Sequence, residues 1–181
     1  MSIQYLKEWQ EPSFDLSRPI FADLETAIPR ESKSKRKTLA LYGETRLFQL
    51  AQDGVALIYD CYYIDVETIK EYLKDAHLVF HNAIYDLTCL QWQPKKFECS
   101  LYLAKHRVPM IDSFSLKSLL EYFAIGEKGD EGSSDWSITT LTSEQLAYAA
   151  DDVLNLETLY HKLGNAGPLY QLDIDNLSYA L

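Results

Sequence analysis

The chain contains no apolar run approaching the ~18 residues that a membrane-spanning helix needs, so no membrane span and no membrane partner are expected. Its three cysteines, Cys61, Cys89 and Cys99, are an odd number with no close pair. That excludes a disulfide framework and fits a reducing, cytoplasmic setting. Cys89 and Cys99 taken with His77, His81 or His106 match no compact zinc-ligand spacing. Seven glycines and six prolines in 181 residues argue against a loop-dominated fold. No basic-then-apolar leader opens the sequence, so secretion is not expected. Positive charge is also scarce: 17 basic against 27 acidic residues leave a net charge of −10. This speaks against a coating protein with a broad basic face.

What is present is the composition of a globular domain, 47% hydrophobic and 24% charged. A chain of this mass buries about 70% of its unfolded surface, enough for a core without staples. The charge is unevenly spread. Residues 30–46 carry six basic and two acidic side chains, net +4, so the remainder carries −14. The acids therefore need an explanation by position.

After a polar opening over residues 1–18, residues 19–26 read as a strand, and residues 38–42 and 46–51 as a second strand region. Asp53-Gly54 is a hairpin turn signal, followed by a strand over 55–59. The pattern then changes. Helices are predicted over 66–73, 85–92, 98–107 and 115–124 from apolar spacing, with a short apolar strand over 77–81. Residues 126–135 form the one flexible stretch. Thr142-Ser-Glu-Gln145 has the form of a capping box and opens a helix that runs to about residue 162 and stops at Gly164. Strands first, then mixed helices and strands, predict an α/β layer around one sheet.

Three segments place acids where a core element prefers apolar residues. In Asp23-Leu24-Glu25 the two carboxylates share one face of a strand. They repel each other there unless a cation lies between them, or the strand is an edge with a solvated face. In His81-Asn82-Ala-Ile-Tyr85-Asp86, the acid follows the C-terminal end of a strand, where α/β folds build sites. It would also suit a helix N-terminus for dipole reasons alone. In Tyr148-Ala-Ala-Asp151-Asp152, Tyr148 and Asp152 are one helical turn apart on one face. Spacing prefers Asp152 to Asp151 only slightly, and both fit an exposed acidic face.

In this order and spacing, Asp23-x-Glu25, Asn82-x-x-x-Asp86 and Tyr148-x-x-x-Asp152 resemble the three exonuclease motifs of the DEDD superfamily in its tyrosine-bearing branch. That branch holds the proofreading domain of family A DNA polymerases and ribonuclease D. The likeness covers residues 19–162, and Ser134-Asp135-Trp136 with Leu141-Thr142-x-x-Gln145 supports it. It departs from the family at Thr139-Thr140, where many relatives carry Arg-Pro, and at Cys99, where many have Asp.

The resemblance implies a ribonuclease H-like mixed sheet, with three antiparallel strands followed by parallel ones and flanking helices. It implies an exonuclease domain over 19–164, with 1–18 an N-terminal extension and 165–181 a C-terminal tail. It further implies 3′→5′ hydrolysis of phosphodiesters, releasing nucleoside 5′-monophosphates with two divalent cations, Mg²⁺ or Mn²⁺. By the same likeness Asp23, Glu25, Asp86 and Asp152 hold the ions, and Tyr148 orients the attacking water. Leu24, Thr26, His81, Asn82 and Tyr85 bind the terminal nucleotides. Single-stranded DNA ends are the expected substrate, in the manner of proofreading during DNA replication, and a DNA polymerase the expected partner. RNA 3′-end trimming and a catalytically idle nucleic-acid-binding module are the alternatives. The Lys33-Ser-Lys-Arg-Lys37 cluster either holds backbone phosphates or is a solvated loop.

Overall fold

The computed structural model describes residues 2–27, 43–108, 110–126 and 134–164. The strand expected over 38–42, the basic cluster 33–37, most of the glycine-rich stretch and the tail from residue 165 lie outside the described residues. Eleven elements follow in chain order. They are β1 (Ser2–Leu6), β2 (Pro19–Ala27), β3 (Glu44–Gln52), β4 (Val55–Asp60), α1 (Val66–Leu73), β5 (His77–Phe80), α2 (Ala83–Leu90), β6 (Lys96–Cys99), α3 (Ser100–Arg107), α4 (Leu116–Phe123) and α5 (Ser143–Leu163).

The six strands form one sheet in the order β1-β4-β3-β2-β5-β6. β2, β3 and β4 pair antiparallel, and β5 and β6 extend the β2 side in parallel. This is the mixed α/β architecture expected from the sequence. One strand adds to it: Ser2–Leu6, within the polar opening, pairs parallel with β4 as an edge strand. Its first three residues are exposed, so no alternation of burial marks it in the sequence. Trp9 then stacks on Tyr59 with centroids 5.4 Å apart, and the Tyr59 hydroxyl donates to Gln10 O at 2.8 Å, tying the segment across β4.

The turn between β3 and β4 has the predicted Asp-Gly form, with positive φ at both residues, Asp53 at 53° and Gly54 at 73°. Glu157 of α5 accepts from Asp53 N at 2.7 Å and Gly54 N at 3.0 Å, which fixes the helix to the hairpin. One predicted helix is divided. Residues 98–107 were expected to be helical throughout, but Lys96–Cys99 pairs with β5 and the helix starts at Ser100. A vacant edge beside β5, with Phe97 and Cys99 both buried, outweighs the local preference.

α5 packs across β2, β3 and β4 and receives α3 and α4 on its outer side. Phe21, Leu47 and Ile58 are buried on the face toward it, and Phe48, Leu50 and Tyr59 on the opposite face of the sheet, each worth about 1.5–3 kcal/mol of burial. The capping box forms as read: Thr142 Oγ1 accepts from Gln145 N at 3.2 Å, and Gln145 Oε1 accepts from Thr142 N at 2.9 Å. Gln145 also donates to Ser134 Oγ at 3.0 Å and Asp135 O at 3.2 Å, so the cap anchors the segment ahead of the helix. Thr142→Ala is expected to cost about 1 kcal/mol, read as a lower urea midpoint at unchanged m-value.

Candidate active site

Asp23 and Glu25 stand two apart on β2 and leave the sheet on the same face, paired with Gln49 and Leu47 of β3. Phe21, Ala22 and Leu24 are buried around them, so β2 is a central strand and not a solvated edge. The ladder slips between Glu25 and Thr26, ending regular pairing just past the acids. Slips of this kind re-aim side chains at the ends of strands.

From the other side come Tyr148 and Asp152 of α5. Ala149 and Ala150, both 0% exposed, let the helix approach the sheet closely. Asp152 is buried and Asp151 exposed, which resolves the choice that spacing left open. One oxygen from each of Asp23, Glu25 and Asp152 lies within 4.8 Å of the others. Two alternate strand positions and a helix residue far along the chain thus converge on one point.

Asp86, on the first turn of α2, stands beside this trio and is only 2% exposed. Burial pushes its carboxyl well above the ordinary range, the negative charge of Asp23 adds to the rise, and its own and Leu24's backbone N–H oppose it. The Tyr148 phenol is pushed up as well, first by burial, then by the charges of Asp152 and Glu25, and by its hydrogen bond to Asp152. Tyr148 therefore keeps its proton at neutral pH and acts as a donor toward Asp152.

The residues expected to touch nucleotides fall into different surroundings. Thr26 Oγ1 and the Tyr85 hydroxyl hydrogen-bond at 2.8 Å, joining the end of β2 to α2. Burial pushes the Tyr85 phenol up to about 12. Asn82 is exposed, caps α2 without a side-chain hydrogen bond, and holds a left-handed backbone at φ 64°, ψ 49°. Asparagine tolerates that region, and its amide is left facing out of the fold. Leu24 is 5% exposed and belongs to the core. Its backbone N–H serves Asp86. His81 is braced within the protein: Nδ1 meets Ser100 Oγ at 2.8 Å and Nε2 meets Phe114 O at 3.1 Å. A carbonyl accepts only, so Nε2 carries the proton and Nδ1 accepts from Ser100 in the neutral ring. Cys99 accepts from Ala83 N at 3.4 Å and lies at the end of β6, against α2.

Sequence reasoning missed a polar support behind the site. Arg46 and Asp60, each with a fully buried side chain, form an ion pair. The Tyr5 hydroxyl donates to Asp60, and Tyr62 N does so at 3.1 Å. Arg46 donates further to Trp136 O at 3.2 Å and to Ile138 O and Thr139 O at 3.4 Å each. The Tyr62 ring covers its guanidinium at 3.9 Å. Trp136, held by this cluster, lies 6.3 Å from the Tyr148 ring, centroid to centroid. A lone Arg at the start of an apolar strand was the available signal. Its partner fourteen residues away was not legible, because strand pairing, not spacing, brings them together.

The donor set suits a hard divalent cation. Carboxylate oxygens match Mg²⁺ or Mn²⁺, whereas the Cys89 thiol, one helical turn from Asp86, is pushed up to about 11, chiefly by burial, and stays protonated. The Asp86 carboxyl is raised by burial first and by the charge of Asp23 second, and a cation beside the two would favour its ionised form.

The chain is similar to known proteins in sequence and in fold. A DNA polymerase I of Aquifex aeolicus (strain VF5) is 28% identical over 127 residues, covering 65% of this chain and 21% of the polymerase. The chain thus spans about a fifth of that relative's length. Among solved structures, Brucella melitensis NrnC with bound Mg²⁺ superposes with a TM-score of 0.69 at 22% identity, over 90% of this chain and 80% of that one. Escherichia coli RNase D, an exoribonuclease involved in structured RNA processing, gives a TM-score of 0.64 at 22% identity, over 80% of this chain and 38% of that one. These likenesses establish the shared fold. Among the described residues no helix is long and apolar enough to cross a membrane. The family model described as 3′-5′ exonuclease matches residues 22–167, taking in every carboxylate of the pocket, and the chain belongs to the 3′-5′ exonuclease family.

Proposed function

We propose that this chain removes nucleotides from the 3′ ends of single-stranded DNA as a two-metal-ion exonuclease, in the manner of a proofreading domain. The observation that carries this reading is the convergence of Asp23, Glu25 and Asp152 within 4.8 Å. Asp86, buried beside them, completes a set of four carboxylates. DNA is favoured over RNA by the family model and by the 28% identity to a DNA polymerase I.

Asp23, Glu25, Asp86 and Asp152 would hold two Mg²⁺ or Mn²⁺ ions, with Asp23 shared. When bound, such ions supply charge stabilisation of the attacking and leaving oxygens and lower the pKa of water. The chain's own residues supply the rest. Tyr148 keeps its proton, donates to Asp152, and offers its phenolic oxygen to the attacking water. That water's oxygen bonds to phosphorus as the bond from phosphorus to the 3′ oxygen breaks. A nucleoside 5′-monophosphate leaves, and the shortened strand keeps a new 3′-hydroxyl. Asn82 grips the terminal nucleotide with its outward amide. Thr26 and Tyr85 line the sugar side, and an aromatic face accepts any base. Leu24 contributes apolar contact at the strand end and His81 the edge of its braced ring. A DNA polymerase, in the same chain or a separate one, is the partner that such an activity serves.

Trimming of RNA 3′ ends is the second reading, favoured by the fold shared with RNase D. Matched DNA and RNA oligonucleotides with labelled 5′ ends, incubated with Mg²⁺ or Mn²⁺, separate the two. Release of mononucleotides from DNA at the higher kcat/KM is expected. Faster RNA shortening would transfer the assignment to RNA, and no release from either would leave an idle binding module. Tyr148→Phe is expected to lower kcat on the order of 10²-fold with KM little changed, because it removes a positioning contact made by the reacting water.

A further inference from the structure

Gln49 lies in the middle of β3 and is 0% exposed. Among the described residues neither its Nε2 nor its Oε1 has a hydrogen-bond partner. Its sequence neighbours Leu47, Phe48, Leu50 and Ala51 are all core residues. A primary amide with both ends idle is disfavoured in such a place, since leucine or methionine fills a similar volume without stranding a donor and an acceptor. Buried polar groups in native interiors have partners as a rule, and one without them points to a ligand, an ion or a task in catalysis.

The sheet register indicates which. Gln49 is the direct ladder partner of Asp23. Residues directly opposed in an antiparallel pair send their side chains to the same face, with Cβ atoms about 5 Å apart. The amide therefore lies under the carboxylate pocket, between the sheet and α5. A second buried donor on that side is likewise uncommitted: among the described residues Trp136 Nε1 has no partner, and its ring is 4% exposed and 6.3 Å from that of Tyr148. The polar atoms left idle on this side of the molecule thus border the site.

We propose that Gln49 is a positioning residue for the metal centre, its Nε2 donating to the Asp23 carboxylate and fixing the orientation in which that group binds a divalent cation. The inference rests on reading the carboxylates as a metal site. Ligating carboxylates need outer hydrogen-bond partners, and losing one lowers metal affinity 10–100-fold. The core residues on either side hold the amide in place, so its donor is available when the ion arrives.

Gln49→Leu and Gln49→Met test this in the full chain by two measurements that need no substrate. Calorimetric unfolding without metal is expected to give a midpoint equal to or above wild type, because an idle amide is replaced by an apolar group. Titration with Mg²⁺ alone, followed by isothermal calorimetry, is expected to show affinity lowered by about tenfold or more. Wild-type Mg²⁺ affinity in either folded variant would overturn the proposal. So would a metal-free midpoint below wild type in both, since the amide would then already be serving the fold. If the wild-type protein binds Mg²⁺ but releases no nucleotide, the nuclease reading fails while both measurements on Gln49 still stand.

Discussion

Asp23→Asn is expected to lower mononucleotide release by at least about 10³-fold while making the metal-free protein more stable. On the proposed function, the first effect follows from removing a charge of the acidic trio that would hold a divalent cation. The second follows from the same carboxylate's action on Asp86. Burial already disfavours ionised Asp86, and the charge of Asp23 adds to that. Removing it lets Asp86 ionise at lower cost, so the repulsion stored in the apo fold is relieved. Steady-state release from a labelled oligonucleotide and calorimetric unfolding in chelator are the two measurements. Opposite signs in activity and stability mark a residue kept for chemistry at the expense of the fold. If the variant kept a tenth of wild-type activity, Asp23 could not be the shared ligand.

The largest loss of stability is expected behind the site, at the Arg46–Asp60 pair. Both side chains are 0% exposed, so deleting either strands the other's charge away from water. Breaking a buried pair in this way costs about 3–5 kcal/mol. For a domain of this size each kcal/mol lowers Tm by roughly 2–4 °C, so Arg46→Met is expected to unfold about 10 °C early. Asp60→Asn is expected to cost less, because Arg46 keeps its bonds to Trp136 O, Ile138 O and Thr139 O. The double change Arg46→Met with Asp60→Leu removes the stranded charge but still frees those three carbonyls. It should recover part of the loss and not all of it. Differential scanning calorimetry of the three variants decides this. Equal Tm values for all three would show that the pair and the carbonyl contacts carry no separate weight.

Activity in these variants should follow Trp136. The pair holds the segment that seats Trp136 beside Tyr148, so loosening it lowers kcat before it lowers substrate affinity. Simple loss of folded protein also lowers apparent kcat at unchanged KM, so kcat divided by the folded fraction from calorimetry is what isolates a fault in placing Tyr148.

How legible each part was depended on the range of the interactions behind it. The capping box at Thr142–Gln145, the Asp53-Gly54 turn and the stop at Gly164 are local devices whose partners sit within a few residues. They could be read directly, and they stand where they were read. The edge strand Ser2–Leu6 could not, because what makes it a strand is the free flank of β4 more than fifty residues away. The division at Cys99 has the same cause, an open edge beside β5 that takes Glu98 and Cys99, which a local reading assigns to a helix. The partners of His81 were not legible either, because they come from other elements of the fold. Ser100 and Phe114 occupy both ring nitrogens, leaving the ring as a brace whose polar edge faces into the fold.

By itself the order of residues determined the chemistry on offer: which acids stand on a shared strand face, which tyrosine lies one turn from which aspartate, and where the long helix starts and ends. Tertiary structure decided which of those acids meet. It buried Asp152 and left Asp151 in water, set Asp86 against Asp23, and placed an idle amide and a buried ion pair behind them. The physical reason is that charge repulsion, desolvation and unmet hydrogen bonds act through space at a few ångströms. Strand pairing brings Gln49 to Asp23 and Arg46 to Asp60, and the packing of α5 onto β2 and β3 adds Asp152.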